Sequence, residues 1–103
     1  MRIENKEQIF RFIKDNKEIL SRYKVKRLGL FGSFIRNEQE DQSDVDIMVE
    51  YEEGEKTIDN FLGLIDYLES NFEREIELVT PESLSKYIKQ YVEKEIEYVQ
   101  VVD

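Results

Sequence analysis

Leu30-Phe31-Gly32-Ser33-Phe34-Ile35-Arg36 and, after a short polar spacer, Ser43-Asp44-Val45-Asp46-Ile47-Met48-Val49-Glu50-Tyr51 are the two stretches on which the reading of the fold turns. In the second, Val45, Ile47, Val49 and Tyr51 alternate with Asp44, Asp46, Met48 and Glu50. A period of two is strand periodicity, and here it gives one apolar face and one face that carries acids. The first stretch closes a short apolar strand, Val25 to Phe31, with a glycine. Ser33 then stands where a side-chain oxygen would cap a short helix running to about Glu38. Asn37 to Ser43 is too polar for burial and reads as a loop.

Working outward, Ile9, Phe10, Ile13, Leu20 and Tyr23 recur at largely helical spacing, which predicts one amphipathic helix over residues 6–23. On the C-terminal side, Glu52 to Lys56 is an acidic turn around Gly54. Ile58, Phe61, Leu62, Ile65 and Leu68 follow the i, i+3, i+4, i+7 pattern of a second helix, ending near Ser70-Asn71. Glu75 to Val79 is a third strand, and Thr80-Pro81 reads as a cap with proline at the first helical position. Leu84, Tyr87, Ile88, Tyr91, Val92, Ile96 and Val99 predict one or two final helices. Their apolar stripe reads first as core; as the alternative, Tyr87, Tyr91 and Tyr98 form a docking surface. Helices alternating with strands predict an α/β (α+β) fold: a small mixed sheet of three to four strands flanked by helices. At this length residues 1–103 are expected to form a single domain.

Composition excludes several chemistries. The chain has no cysteine and no histidine, so disulfides, thiolate metal sites and Ser-His or Cys-His machinery are ruled out. No apolar run reaches the length of a membrane span and the N-terminus shows no leader pattern, so the expected location is the cytoplasm, with no membrane partner. The net charge is −9 and unevenly spread: residues 1–36 carry ten Lys/Arg against four Asp/Glu, and residues 37–103 five against twenty. Such acidity argues against general nucleic-acid binding, which needs Lys/Arg to neutralise phosphates.

What remains is carboxylate, hydroxyl, guanidinium and bound-metal chemistry. Asp44 and Asp46, at i and i+2 of a strand, project from one face about 6.5 Å apart along the chain. They can share a Mg²⁺ whose other ligands, at about 2.1 Å, are waters and phosphate oxygens. Aspartate is depleted in strands, so its appearance twice among Val and Ile asks for a reason. Gly32-Ser33, at the strand end, presents free N–H groups with no Cβ in the way, a natural anion seat. Arg36 either reaches that anion or is a solvated residue.

Taken together, the Gly-Ser pair, the spacer and Ser43-Asp44-Val45-Asp46-Ile47 resemble the signature of minimal nucleotidyltransferases (MNT), of the DNA polymerase β-like superfamily. The resemblance covers nearly the whole chain and implies the nucleotidyltransferase fold. Glu75-Ile76-Glu77-Leu78-Val79-Thr80-Pro81 resembles the family's third-carboxylate strand, with Glu77 at the catalytic position; Glu75 shares its face, and alignment alone separates the two. Two positions depart from the pattern. Glu77 stands where aspartate is usual, and Asn37 where glycine commonly follows the arginine; asparagine tolerates the left-handed backbone that such a turn needs. The resemblance further implies Asp44, Asp46 and Glu77 as catalytic residues holding two Mg²⁺ ions, with Gly32, Ser33, Arg36 and Ser43 on the nucleotide. It implies ATP as donor, transfer of AMP to a tyrosine hydroxyl with release of pyrophosphate, and a HEPN-domain toxin as acceptor, the chain being the antitoxin. The rival expectations are an antitoxin that neutralises by docking alone and a small-molecule nucleotidyltransferase of the antibiotic-modifying kind.

Overall fold

The computed structural model describes residues 2–102. The elements are α1 (Lys6–Asp15), α2 (Lys17–Arg22), β1 (Val25–Phe31), β2 (Val45–Tyr51), α3 (Ile58–Phe72) and β3 (Ile76–Val79). A 3₁₀ turn (Pro81–Ser83), α4 (Lys86–Glu95) and β4 (Glu97–Gln100) complete the chain. They build one four-stranded mixed sheet in the order β3-β2-β1-β4. β1 runs antiparallel to both β2 and β4, whereas β2 and β3 are parallel and joined by α3.

The register sorts the side chains into two faces. Leu28 is paired with Val49 and Val99, Leu30 with Ile47, Val45 with Ile76, and Ile47 with Leu78. All of these are buried, and with Ile9, Ile13, Leu20, Leu64, Leu68 and Phe72 from the helices they form the core. Phe12 meets Phe72 edge-on at 5.1 Å between centroids, an arrangement that favours aromatic pairs beyond their buried area. The other face pairs Asp46 with Phe31 and Glu77, Met48 with Gly29 and Val79, and Arg27 with Glu50. β2 therefore divides its chemistry as its alternation predicts: valine and isoleucine to the core, acids to the other side.

Three expectations are corrected. The single helix over 6–23 is two helices, because Asn16 leaves helical geometry (φ −123°, ψ 27°) and its side-chain amide donates to the Phe12 carbonyl at 2.8 Å, an alternative that the short Asn side chain offers the backbone. No helix follows Ser33. Residues 33–37 form a turn in which Glu38 N–H donates to Ser33 O at 2.9 Å, opened by Gly32 at φ +81° and closed by Asn37 at φ +58°. Asparagine thus takes the left-handed position where the signature it resembles commonly has glycine. The C-terminal helical reading ends too late: Ile96 is extended, and residues 97–100 are a strand pairing with β1. Gly29 makes room for this segment, since a Cβ there would sit 2.5 Å from Ile96 Cδ1 and 2.9 Å from Tyr98 Cε1.

Candidate active site

The carboxylates meet where β2 crosses its neighbours on the face away from the core. Asp46 is half-buried between Phe31 of β1 and Glu77 of β3. Its carboxyl is pushed up from the ordinary aspartate range to about 7, first by burial, then by a hydrogen bond with Glu77 and by the negative charges of Glu77 and Asp44. Burial and like charge both penalise ionisation. Asp44 lies just ahead of β2, exposed, and Glu77 is exposed at the rim. Of the two acids that share this face, Glu77 stands in register beside Asp46 across the parallel β2–β3 pair. Glu75 precedes β3, gives its carbonyl to Val45 N–H at 2.9 Å, and lines a separate depression with Arg2, Ser43, Asp44 and Arg74.

Gly32 stands against this group more tightly than its reading as an anion seat anticipates. A Cβ at Gly32 would fall 2.1 Å from Asp46 Oδ2 and 2.9 Å from its Cγ. The residue is glycine for two reasons at once, positive φ and the carboxylate lying over it. Its N–H donates to Glu95 Oε2 at 2.7 Å. Arg36, exposed in the turn, donates from Nη1 to both Glu95 oxygens at 2.9 and 3.1 Å and from Nε to Glu38 at 2.9 Å. These partners hold its guanidinium above its ordinary pKa. Ser33 is half-buried beside Gly32. Ser43 is engaged elsewhere: its hydroxyl accepts from Glu40 N–H at 2.8 Å and closes the turn that precedes Asp44.

Two residues at the site went unread in the sequence. Glu95 is one. The other is Arg74, whose side chain is buried and spreads over the loop leading to Asp44. Nε donates to the Ile3 carbonyl at 2.6 Å, and Nη1 to the carbonyls of Glu40, Asp41 and Ser43 at 3.0 to 3.2 Å, while the guanidinium covers the Phe34 ring at 4.9 Å. A lone arginine between two glutamates carries no pattern that would single it out. Replacing Arg74 with alanine leaves these carbonyls without their donor, so unfolding free energy is expected to fall by about 3 kcal/mol. Arg74→Lys should recover only part of it, because an ammonium cannot span a fan of four acceptors. Denaturant titration of the two variants checks both expectations.

Further along the same sheet face lies a cavity of about 510 Å³, bordered by Met48, Glu50, Thr80, Lys89 and Tyr98. Arg27 stacks on the Tyr98 ring at 3.7 Å and pairs with Glu50 at 2.7 Å. The stripe expected to be core on the last helix is exposed: Tyr87 is 80%, Tyr91 71% and Ile88 53% accessible, with only Val92 of that helix buried. Among the described residues no helix is long and apolar enough to cross a membrane, and no three acids stand close enough to form a complete metal cage by themselves.

Comparison with known proteins agrees with this geometry. The model of the family described as nucleotidyltransferase domain matches residues 11–99, a span that includes the Gly32 turn and every candidate acid. A Methanocaldococcus jannaschii protein named as a protein adenylyltransferase is 39% identical over 95 residues, which are 89% of this chain and 95% of that one. Protein adenylyltransferase MntA of Thermococcus cleftensis is 39% identical over 83 residues, 81% of this chain and 83% of its own. Among solved structures, a minimal nucleotidyltransferase superposes with a TM-score of 0.76 over 91% of this chain and 95% of that one, at 24% identity, a likeness of fold. The chain belongs to the nucleotidyltransferase-domain family, alongside relatives named as protein adenylyltransferases.

Proposed function

We propose that this protein, acting as a single cytoplasmic domain, transfers AMP from Mg²⁺-ATP to a tyrosine hydroxyl of a HEPN-domain toxin and so serves as its antitoxin. The observation that carries the reading is the Asp46–Glu77 carboxyl pair on the open sheet face, with Asp44 beside it and the Gly32 main chain against it. Two relatives support the donor and partner classes. A toxin–antitoxin structure with AMP-PNP is 28% identical at a TM-score of 0.63, covering 84% of this chain and 71% of that one. An MntA–HepT toxin–antitoxin structure is 26% identical at 0.51, covering 89% and 66%.

The residues fit a divalent cation. Hard carboxylate oxygens, one of them raised to about 7 first by burial and then by its acidic neighbours, with Arg36 offsetting only part of the rise, are what a hard dication neutralises. Mg²⁺ needs only one or two carboxylates when waters and phosphates complete its shell. Asp44 and Asp46 would hold one ion, and Glu77 would either contribute to a second or act as general base; the chemistry supplied is screening of the triphosphate and stabilisation of charge on the departing pyrophosphate. The remaining work falls to the chain itself. The Gly32 N–H, the Ser33 hydroxyl and the Arg36 guanidinium bind phosphate oxygens and fix the triphosphate tail. In the role of base, Glu77 at the rim takes the proton of the acceptor hydroxyl as its oxygen attacks the α-phosphorus. The new P–O bond forms as the bond to pyrophosphate breaks, and that electron pair leaves with pyrophosphate.

Incubation with the HEPN-domain protein, Mg²⁺ and ATP labelled at the α- or the γ-phosphate tests the reading. Label entering the protein from the α position alone is expected; label from γ alone, or none from α, overturns it. The exposed Tyr87, Ile88 and Tyr91 favour a second reading, in which α4 docks the toxin and docking itself neutralises. An Asp44→Asn/Asp46→Asn double variant that neutralises an equal concentration of toxin as well as the wild type does would decide for docking.

A further inference from the structure

The Glu95 carboxylate sits where the proposed function needs phosphate. It ends α4 and accepts the Gly32 N–H at 2.7 Å through Oε2, while Arg36 Nη1 holds both of its oxygens at 2.9 and 3.1 Å. One main-chain N–H and one guanidinium gripping two oxygens of a single anion is the donor set that a phosphoryl group takes. Glu95 is three-quarters shielded from water on its side chain, and Arg36 about half shielded. A carboxylate and a phosphate cannot use the same N–H together, and their like charges repel at that distance.

Resting on the reading that Gly32 and Arg36 receive the triphosphate, we infer that Glu95 is a built-in competitor for the nucleotide and sets how tightly it binds. In the free protein it occupies the anion seat and keeps Gly32 and Arg36 in place. The incoming phosphate displaces it, and the apparent affinity is lowered by the fraction of molecules in which the seat is filled. Geometry permits the exchange. Glu95 lies in the last turn of α4, next to Ile96, where the chain becomes extended. Gly32 and Arg36, by contrast, belong to one turn closed by main-chain bonds, with Arg36 N–H on Gly32 O at 3.3 Å. The seat can stay while its occupant leaves.

Inorganic triphosphate is the direct probe, because it needs no transfer chemistry. Calorimetric titration with Mg²⁺ present is expected to show Glu95→Gln binding triphosphate about tenfold more tightly than wild type. Glu95→Asp keeps the charge but is one methylene short of both donors, and it should tighten in the same direction. With ATP and the HEPN-domain protein, KM should fall while kcat does not rise, a split that mere loosening of α4 would not give. Unchanged or weaker triphosphate binding in both variants overturns the inference. If wild type transfers AMP and neither variant binds more tightly, only the role of Glu95 falls. If neither wild type nor variants bind triphosphate, the nucleotidyl-transfer reading falls with it.

Discussion

Asp46→Asn is expected to abolish AMP transfer and, at pH 8, to make the protein more stable than wild type. Both effects come from one carboxyl. In the proposed reaction its ionised form is the metal ligand and the charge required, and an amide of the same shape supplies neither; loss of several kcal/mol of transition-state stabilisation corresponds to a rate drop of about 10³-fold. The same ionised form is disfavoured by the folded protein, where burial, Glu77 and Asp44 raise the carboxyl from 3.8 to about 7. The folded-state pKa thus lies above the unfolded one. Between about pH 4 and pH 7 folding takes up a proton, so stability is fully present at low pH, declines as pH rises through this window, and levels off above it. The amide introduced by Asp46→Asn does not titrate, and the variant escapes the decline. With Asp46 only half-buried and water screening part of the penalty, the gain at pH 8 is about 1 to 2 kcal/mol, fading towards zero at pH 4. Denaturant unfolding of both proteins at pH 4, 6 and 8 gives the stability curve, and the α-label assay gives the rate. Transfer at the wild-type rate would remove Asp46 from the reaction. A variant less stable than wild type at pH 8 would show that the carboxylate is at ease where it sits.

The trade between stability and function at Asp46 was partly visible in the sequence. An aspartate inside a Val/Ile strand is costly wherever it stands, and the alternation of β2 already assigned it to the face away from the core. β2, α3 and β3 were legible because their periodicity is local, and β1 because a short apolar run is closed by a glycine. β4 was not. Only Val99 of its four residues is buried, and Ile96 and Val99 are three apart, a spacing that continues the helical stripe of α4, whereas in a strand the two fall on opposite faces. What decides is the unpaired edge of β1, whose N–H and C=O groups at Arg27 to Leu30 are satisfied by residues 97–100, a demand that lies nearly seventy residues away in the chain. Glu95 and Arg74 were hidden by the same distance. Glu95 reaches Gly32 across 63 residues and Arg74 reaches Ile3 across 71, and in a chain so rich in charge nothing local marks one glutamate or one arginine as different. The turn after Gly32 was missed for another reason. A serine behind a glycine is an equally good opening for a helix and for a turn, and Asn37 in the left-handed region settled it.

Gly32 is where fold and chemistry are least separable, and Gly32→Ala should damage both. At φ +81° an alanine is strained by about 1 to 2 kcal/mol. Its methyl would also lie 2.1 Å from Asp46 Oδ2, 2.9 Å from Cγ and 3.1 Å from Cβ, contacts that no rotation of the carboxylate alone relieves, because Cγ and Cβ crowd it too. Either the turn opens or Asp46 swings away from Glu77. In both cases the main-chain N–H that Glu95 now holds loses its alignment, and an incoming phosphate finds the seat deformed. Gly54 is the internal control: its φ is +78°, but nothing lies within 4 Å of a Cβ there, so Gly54→Ala bears the backbone strain alone. Thermal unfolding should therefore show Gly54→Ala losing about 1 kcal/mol and Gly32→Ala about 2 to 3 kcal/mol. Transfer should be unaffected in the first and reduced at least about 10²-fold in the second. Equal losses in both assays would mean that backbone strain alone accounts for Gly32. Activity lost at Gly32 and kept at Gly54 would mean that the glycine exists to let the carboxylate of Asp46 lie against the main chain, with the anion seat on its other side.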